Sequence, residues 1–138
     1  MAIVLRQKLV LWSLVVSIFF FLSAAAIAAG VVKNLSPEES YELLKQRGDE
    51  IFLLDVRTPG EYQQVRLAGA KLIPIDQLLQ RMDEVPKNKP LLVYCAVGSR
   101  SSQVVGYMAR IGYPEVYNLY GGIYAWSKKG YPVLQGLP

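Results

Sequence analysis

The fold class this sequence predicts is α/β: a mostly parallel sheet covered by helices on both faces. Three observations carry it. Short runs such as Leu53-Leu54 and Leu91-Leu92-Val93 are continuously apolar, as strands buried on both faces are. Segments with helical spacing alternate with those runs along the chain. Glycines at 48, 112 and 130 fall at the ends of the helical segments, where a helix is expected to stop. In a sheet of this kind ligands bind beyond the carboxyl ends of the strands.

Each element has its own local reason. Lys33-Asn34-Leu35 reads as a short strand. Ser36-Pro37-Glu38-Glu39 combines an N-cap serine, a proline at the first helical position and a capping-box glutamate, so a helix should run to about Arg47 and stop at Gly48. Ile51 to Val56 is an apolar run with a polar end, read as a buried strand, and Thr58-Pro59-Gly60 turns the chain. Glu61 to Gln64 forms one helical turn, and Lys71-Leu72-Ile73-Pro74 is a further short strand. Asp76 is placed to cap a helix whose apolar face is Leu78, Leu79 and Met82. Pro86 to Pro90 is a loop into the strand Leu91–Tyr94. From Ser101 to Ile111 the apolar residues Val104, Val105, Met108 and Ile111 recur at helical spacing. Val116 to Leu119 is the last strand, Gly121-Gly122 a tight turn, and Ile123 to Lys129 a short helix ended by Gly130. There is no internal repeat and no low-complexity segment.

The 138 residues leave room for one domain of ordinary size. Arg6 and Lys8 precede an apolar run from Leu9 to Leu22, and small residues follow through Ala29. This is the anatomy of a signal peptide with cleavage after Ala28 or Ala26. The expected division is therefore 1–28 as signal peptide or membrane anchor and 33–138 as the folded domain. The anchor reading extends the apolar stretch over residues 9–32, long enough to cross a bilayer. Positive charge ahead of the stretch places the domain outside the cytoplasm in both cases, periplasmic in a bacterium and tied to the inner membrane only if the segment stays uncleaved. Without those two basic residues, the 15 basic side chains fall to 13 against 11 acidic ones, a net +2. Basic residues do not cluster with aromatics, which argues against a nucleic-acid partner.

Cys95 is the only cysteine, so no disulfide forms within the chain. It opens the segment Cys95-Ala96-Val97-Gly98-Ser99-Arg100, where a strand hands over to a helix N-terminus. Unpaired amides, the positive end of the helix dipole and Arg100 favour a thiolate there. The chain has no histidine, which removes the imidazole base of cysteine and serine hydrolases and the commonest metal ligand. Electrostatic activation of the sulfur remains, and it suits an anionic substrate.

With these residues the chain resembles the rhodanese family of sulfurtransferases in its single-domain, exported bacterial form. The resemblance spans the mature chain: Asp55-Val56-Arg57 with Glu61-Tyr62, Gly69-Ala70, Ile73-Pro74, the Cys95–Arg100 loop, and Gly121-Gly122 followed by Trp126, Gly130, Pro132 and Val133. It implies a three-layer α/β/α domain with a central five-stranded parallel sheet, here preceded by the N-terminal hydrophobic helix. It also implies a thiosulfate sulfurtransferase with Cys95 as nucleophile and no cofactor or metal. Sulfane sulfur would pass from a small anionic donor such as thiosulfate, through a Cys95 persulfide, to cyanide, a thiol or a protein acceptor. The loop Ala96, Val97, Gly98, Ser99 and Arg100 would bind the substrate and the persulfide, Arg100 orienting the sulfonate oxygens. Asp55, Arg57 and Glu61 would support it: Asp55 and Arg57 either pair to fix the loop or touch the substrate, and Glu61, an anion near the mouth of the site, should repel thiosulfate unless paired with Arg57 or Arg66.

Two departures stand out. Val65-Arg66-Leu67-Ala68-Gly69-Ala70 replaces a Gly-His-Ile-Pro-Gly-Ala-like segment, putting a permanent charge at that turn. Ala96 and Val97 make the loop less polar than in many relatives. Rhodanese-related phosphatases and arsenate reductases carry one more residue between cysteine and arginine, and the four-residue spacer here fits a sulfur atom better than a phosphate. Thiol–disulfide exchange lacks a second cysteine to resolve a mixed disulfide. The alternative outside enzymology is a non-catalytic sulfur carrier or partner-binding module.

Overall fold

The computed structural model describes residues 30–137. Strands β1 (Val31–Leu35), β2 (Phe52–Asp55), β3 (Lys71–Leu72), β4 (Leu91–Tyr94) and β5 (Glu115–Leu119) form one sheet in the order β1-β5-β4-β2-β3, every pair parallel. Helices α1 (Pro37–Arg47), α2 (Pro59–Gln64), α3 (Ser99–Arg110) and α4 (Gly122–Lys128) and a 3-10 segment (Leu78–Glu84) connect them. The α/β/α arrangement with five parallel strands agrees with the fold expected from the sequence.

Side-chain alternation along the inner strands builds both faces of the core. Leu91, Val93 and Cys95 point to one face, with Leu54, Val56, and Val104, Val105 and Met108 of α3. Leu92 and Tyr94 point to the other, with Leu53, Leu119, and Ile123 and Trp126 of α4, while Tyr41 and Leu44 of α1 pack against them. A strand sandwiched in this way has no solvent face, which is why its sequence is apolar throughout.

The caps work largely as expected. Ser36 and Glu39 form the capping box of α1. A second capping box was hidden in what reads as a plain turn: Thr58 caps α2, Pro59 occupies its first position, and Glu61 returns its carboxylate to the Thr58 amide. Asp76 caps nothing. Gln77 flanks a 3-10 segment whose entering amides already bond to Pro74 and Ile75 carbonyls, and Leu79 lies 66% exposed instead of on an apolar face. Ile111 is likewise exposed, just past the end of α3.

The predicted signal peptide or anchor at 1–28 lies outside the described residues. The longer 9–32 stretch overlaps them at its end, where Val31 and Val32 pair in register with Glu115 and Val116 and so belong to the sheet. Among the described residues no helix is long and apolar enough to cross a membrane.

The contrast between Leu54, fully buried on β2, and Leu79 gives a direct check on this packing. Leu54→Ala should lower unfolding free energy in urea by about 3 kcal/mol. Leu79→Ala should change it by less than about 0.5 kcal/mol.

Candidate active site

Parallel register brings Asp55, the last residue of β2, beside Tyr94, the last of β4. Asp55 and Cys95 therefore leave the sheet at the same edge, the carboxyl ends of the strands. The alternation that buries Leu91 and Val93 also buries the Cys95 thiol completely. Gly98 then takes a left-handed φ of 95° and turns the chain into α3, which starts two residues earlier than its apolar spacing suggested.

This turn aims donors at the sulfur. The Gly98 amide donates to Cys95 Sγ at 3.1 Å, and the Ser101 hydroxyl donates at 3.4 Å. Burial pushes the thiol pKa up, but the Ser101 hydroxyl and the amides of Ser101, Gly98 and Val97 outweigh it, so the net shift is downward. Hydrogen bonds and a helix N-terminus thus favour the thiolate without an imidazole. Within the predicted loop, Val97 and Gly98 reach the sulfur, Ser99 is exposed at the start of α3, and Ala96 serves through its carbonyl. Ser101 was missed in the sequence. The available signal was a hydroxyl in the first turn of a helix that begins beside the thiol.

Amides that turn inward leave the opposing carbonyls needing donors elsewhere. Ile123 N–H donates to the Cys95 carbonyl at 2.9 Å, and Tyr124 N–H to the Ala96 carbonyl at 3.0 Å. Both amides belong to the first turn of α4. Gly122 has a φ of +61°, and a Cβ there would lie 2.5 Å from the Cys95 carbonyl oxygen. The Gly121-Gly122 pair is therefore the seat of the cysteine loop, beyond being a tight turn.

Two ion pairs complete the site. Arg57 and Asp55 are both buried, with Nη2 to Oδ2 at 2.6 Å and Nε to Oδ1 at 2.9 Å. Arg57 also donates to the carbonyls of Glu61 (3.3 Å) and Val65 (2.6 Å), so it fixes both ends of the segment carrying Glu61. Support is thus the geometry these two residues have. Glu61 pairs with neither Arg57 nor Arg66, the two partners the sequence offers it. Its carboxylate binds Arg100 in bidentate fashion, at 2.6 and 3.0 Å. Arg66 is buried, donates to the carbonyls of Gly136 and Leu137, and stacks over Tyr62, so its charge ties down the C-terminal segment.

Arg100 together with the Thr58 cap holds the Glu61 pKa down at about 2. A carboxylate lowered in this way contributes stability that is fully present above the ordinary value of 4.5 and is lost as pH falls through about 2. The pair is therefore intact throughout the neutral range. Among the described residues no cluster of metal-ligating side chains forms.

The model of the rhodanese-like domain matches residues 36–129. A sulfurtransferase of Allochromatium vinosum is 38% identical over 67% of this chain and 90% of its own length. The thiosulfate sulfurtransferase GlpE of Coxiella burnetii is 35% identical over 69% of this chain and 87% of its own. The crystal structure of a rhodanese-related protein from Thermoplasma volcanium superposes with a TM-score of 0.67 at 31% identity, covering 74% of this chain and 97% of that one. The chain belongs to the rhodanese-like family of sulfurtransferases.

Two measurements check this geometry. The Cβ carbon chemical shift of Cys95, followed by NMR against pH, should have its midpoint below that of a free cysteine thiol, and Ser101→Ala should move the midpoint upward. Asp55→Ala leaves the Arg57 guanidinium buried and unpaired, and should cost about 3–5 kcal/mol in urea unfolding.

Proposed function

We propose that the chain is an exported sulfurtransferase that takes sulfane sulfur from a thiosulfate-type donor and passes it to a thiol or cyanide through a persulfide on Cys95. The carrying observation is the convergence of the Gly98 amide and the Ser101 hydroxyl on one buried sulfur, in a chain without histidine. The donor named for the Coxiella relative supports the substrate class.

In the first half-reaction the Cys95 thiolate attacks the outer sulfur of the donor. The donor's sulfur–sulfur bond breaks, and its electron pair departs on sulfite. Attack by the ionised form of the sulfur requires no base to remove a proton. The negative charge then sits on the terminal sulfur of the persulfide, within the ring of loop amides. In the second half-reaction the acceptor's lone pair attacks that terminal sulfur, and the electron pair of the cysteine persulfide bond returns to Sγ. Cyanide leaves as thiocyanate, and a thiol as a persulfide. Cys95 is catalytic in this scheme, the amides of the loop stabilise both anionic states, and Asp55, Arg57 and Glu61 hold the loop.

The export half of the proposal rests on Arg6 and Lys8 ahead of the Leu9–Leu22 run. N-terminal sequencing of the protein recovered from a bacterial periplasm should show cleavage after Ala28 or Ala26. An intact N-terminus in the membrane fraction would establish the anchor instead, and an uncleaved soluble cytoplasmic protein would end the export reading.

Intact mass after incubation with thiosulfate should show one added sulfur, located on Cys95. Cys95→Ser should lose both the adduct and the thiocyanate-forming activity, by at least about 10³-fold. An adduct that persists in that variant would sink the mechanism.

A further inference from the structure

We infer that Glu61 is a donor-selecting residue: by occupying the Arg100 guanidinium it disfavours compact dianionic donors and favours sulfane-sulfur donors of lower charge with an apolar body. The inference rests on the sulfurtransferase reading and narrows its substrate class.

The charges around the site are matched before any substrate arrives. Arg57 is saturated by both Asp55 oxygens and two backbone carbonyls. Arg66 is committed to the carbonyls of Gly136 and Leu137. Arg100, the one positive side chain on the cysteine loop, is held at both ends by Glu61. Glu61 cannot easily swing away. Its Oε2 also accepts from the Thr58 amide and the Thr58 hydroxyl, each at 2.9 Å, so the capping box of α2 fixes the carboxylate where it grips Arg100. Arg100 lies within reach of the sulfur, but its charge is already matched by Glu61, so a Cys95 thiolate adds one negative charge to a balanced site. A thiosulfate dianion approaching it meets like-charge repulsion, offset by the Gly98 amide and Ser101 hydroxyl dipoles and by a guanidinium whose charge Glu61 already matches.

The surface beside the loop has the opposite preference. Val97 on the loop is 60% exposed. Tyr124, whose amide holds the Ala96 carbonyl, is 67% exposed, and Tyr120, next to Gly121, is 66% exposed. An apolar or aromatic group joined to the donor sulfur would cover this surface, whereas an oxyanion would gain nothing from it.

Benzenethiosulfonate is the probe that separates the two donor classes. It offers the same outer sulfur as thiosulfate, but it is a monoanion with an aryl group in place of one oxygen, and it leaves as benzenesulfinate. With cyanide as acceptor, kcat/KM for the two donors is measured in the wild type, Glu61→Gln, Arg100→Gln and the double variant. Glutamine keeps the size of Glu61 and an oxygen for the Thr58 cap while freeing Arg100. In Glu61→Gln the thiosulfate-to-benzenethiosulfonate ratio should rise about tenfold, mainly through KM for thiosulfate, and the gain should shrink with added salt.

Arg100→Gln strands the Glu61 charge and should move the ratio the opposite way, giving an independent reading if Glu61→Gln does not fold. In the double variant the gain should vanish. A ratio unmoved by both single substitutions, or both donors falling together, overturns the inference while leaving the sulfurtransferase reading intact. Intact mass separates the remaining case: no sulfur loaded on wild-type Cys95 by either donor removes that reading and the inference with it.

Discussion

The backbone of the cysteine loop cannot satisfy itself. When Val97 turns its amide toward the sulfur, the planar peptide sends the Ala96 carbonyl the other way, and this carbonyl and that of Cys95 before it both need donors from outside the loop. The N-terminal amides of α4 supply two, through Ile123 and Tyr124. Two helix starts therefore divide one loop between them, α3 serving the sulfur and α4 serving the carbonyls. This demand fixes Gly122, because a side chain there would occupy the space of the Cys95 carbonyl. It also fixes where β5 must end and α4 begin, so the sheet order, with β5 beside β4, is part of the site's construction.

A second chain of contacts runs from the core to the rim. Asp55 emerges from β2 into a buried position and must be matched, because an isolated ion there would be costly. Arg57 matches it, and its remaining donors take the carbonyls of Glu61 and Val65. A buried pair of this kind adds little net stability compared with apolar packing. What it contributes is orientation: α2 is placed so that Glu61 faces Arg100 across the entrance. The charge state of the rim thus depends on a buried pair that reaches it only through backbone carbonyls.

How much of this was legible in the sequence follows from the range of each signal. The strands, α1 and the ends of α3 and α4 are local: apolar runs, a capping box, a glycine stop. The Cys95–Arg100 loop was legible because its chemistry is contiguous. Asp76 misled because a capping residue is recognised by type, whereas what decides is whether the amides beyond it are free, and here carbonyls at 74 and 75 had already taken them. For Glu61 the sequence offers Arg57 and Arg66 as nearby partners, yet the residue it pairs with lies 39 positions away on another helix. Gly121-Gly122 reads as a turn because positive φ is the local reason for glycine; the close approach of a second backbone segment leaves no trace in the residues themselves. Arg66 gave no hint of burial, since the carbonyls it binds belong to the far end of the chain.

The burial of Cys95 bears on what the site can transfer. A thiol with no exposed surface is poorly placed to attack a carbonyl carbon or a phosphorus, both of which arrive surrounded by substituents. A terminal sulfur is different, because it projects from its donor as a single atom and can enter a ring of amides alone. In the proposed mechanism the transferred sulfur would sit one sulfur–sulfur bond, about 2 Å, further out than Sγ. The reacting atom of the second half-reaction is then nearer the surface than the side chain that carries it. Enclosure that would cripple a hydrolase therefore suits the proposed carrier: the depth of Sγ shields the cysteine from larger electrophiles, and a persulfide would restore the reach that burial removes.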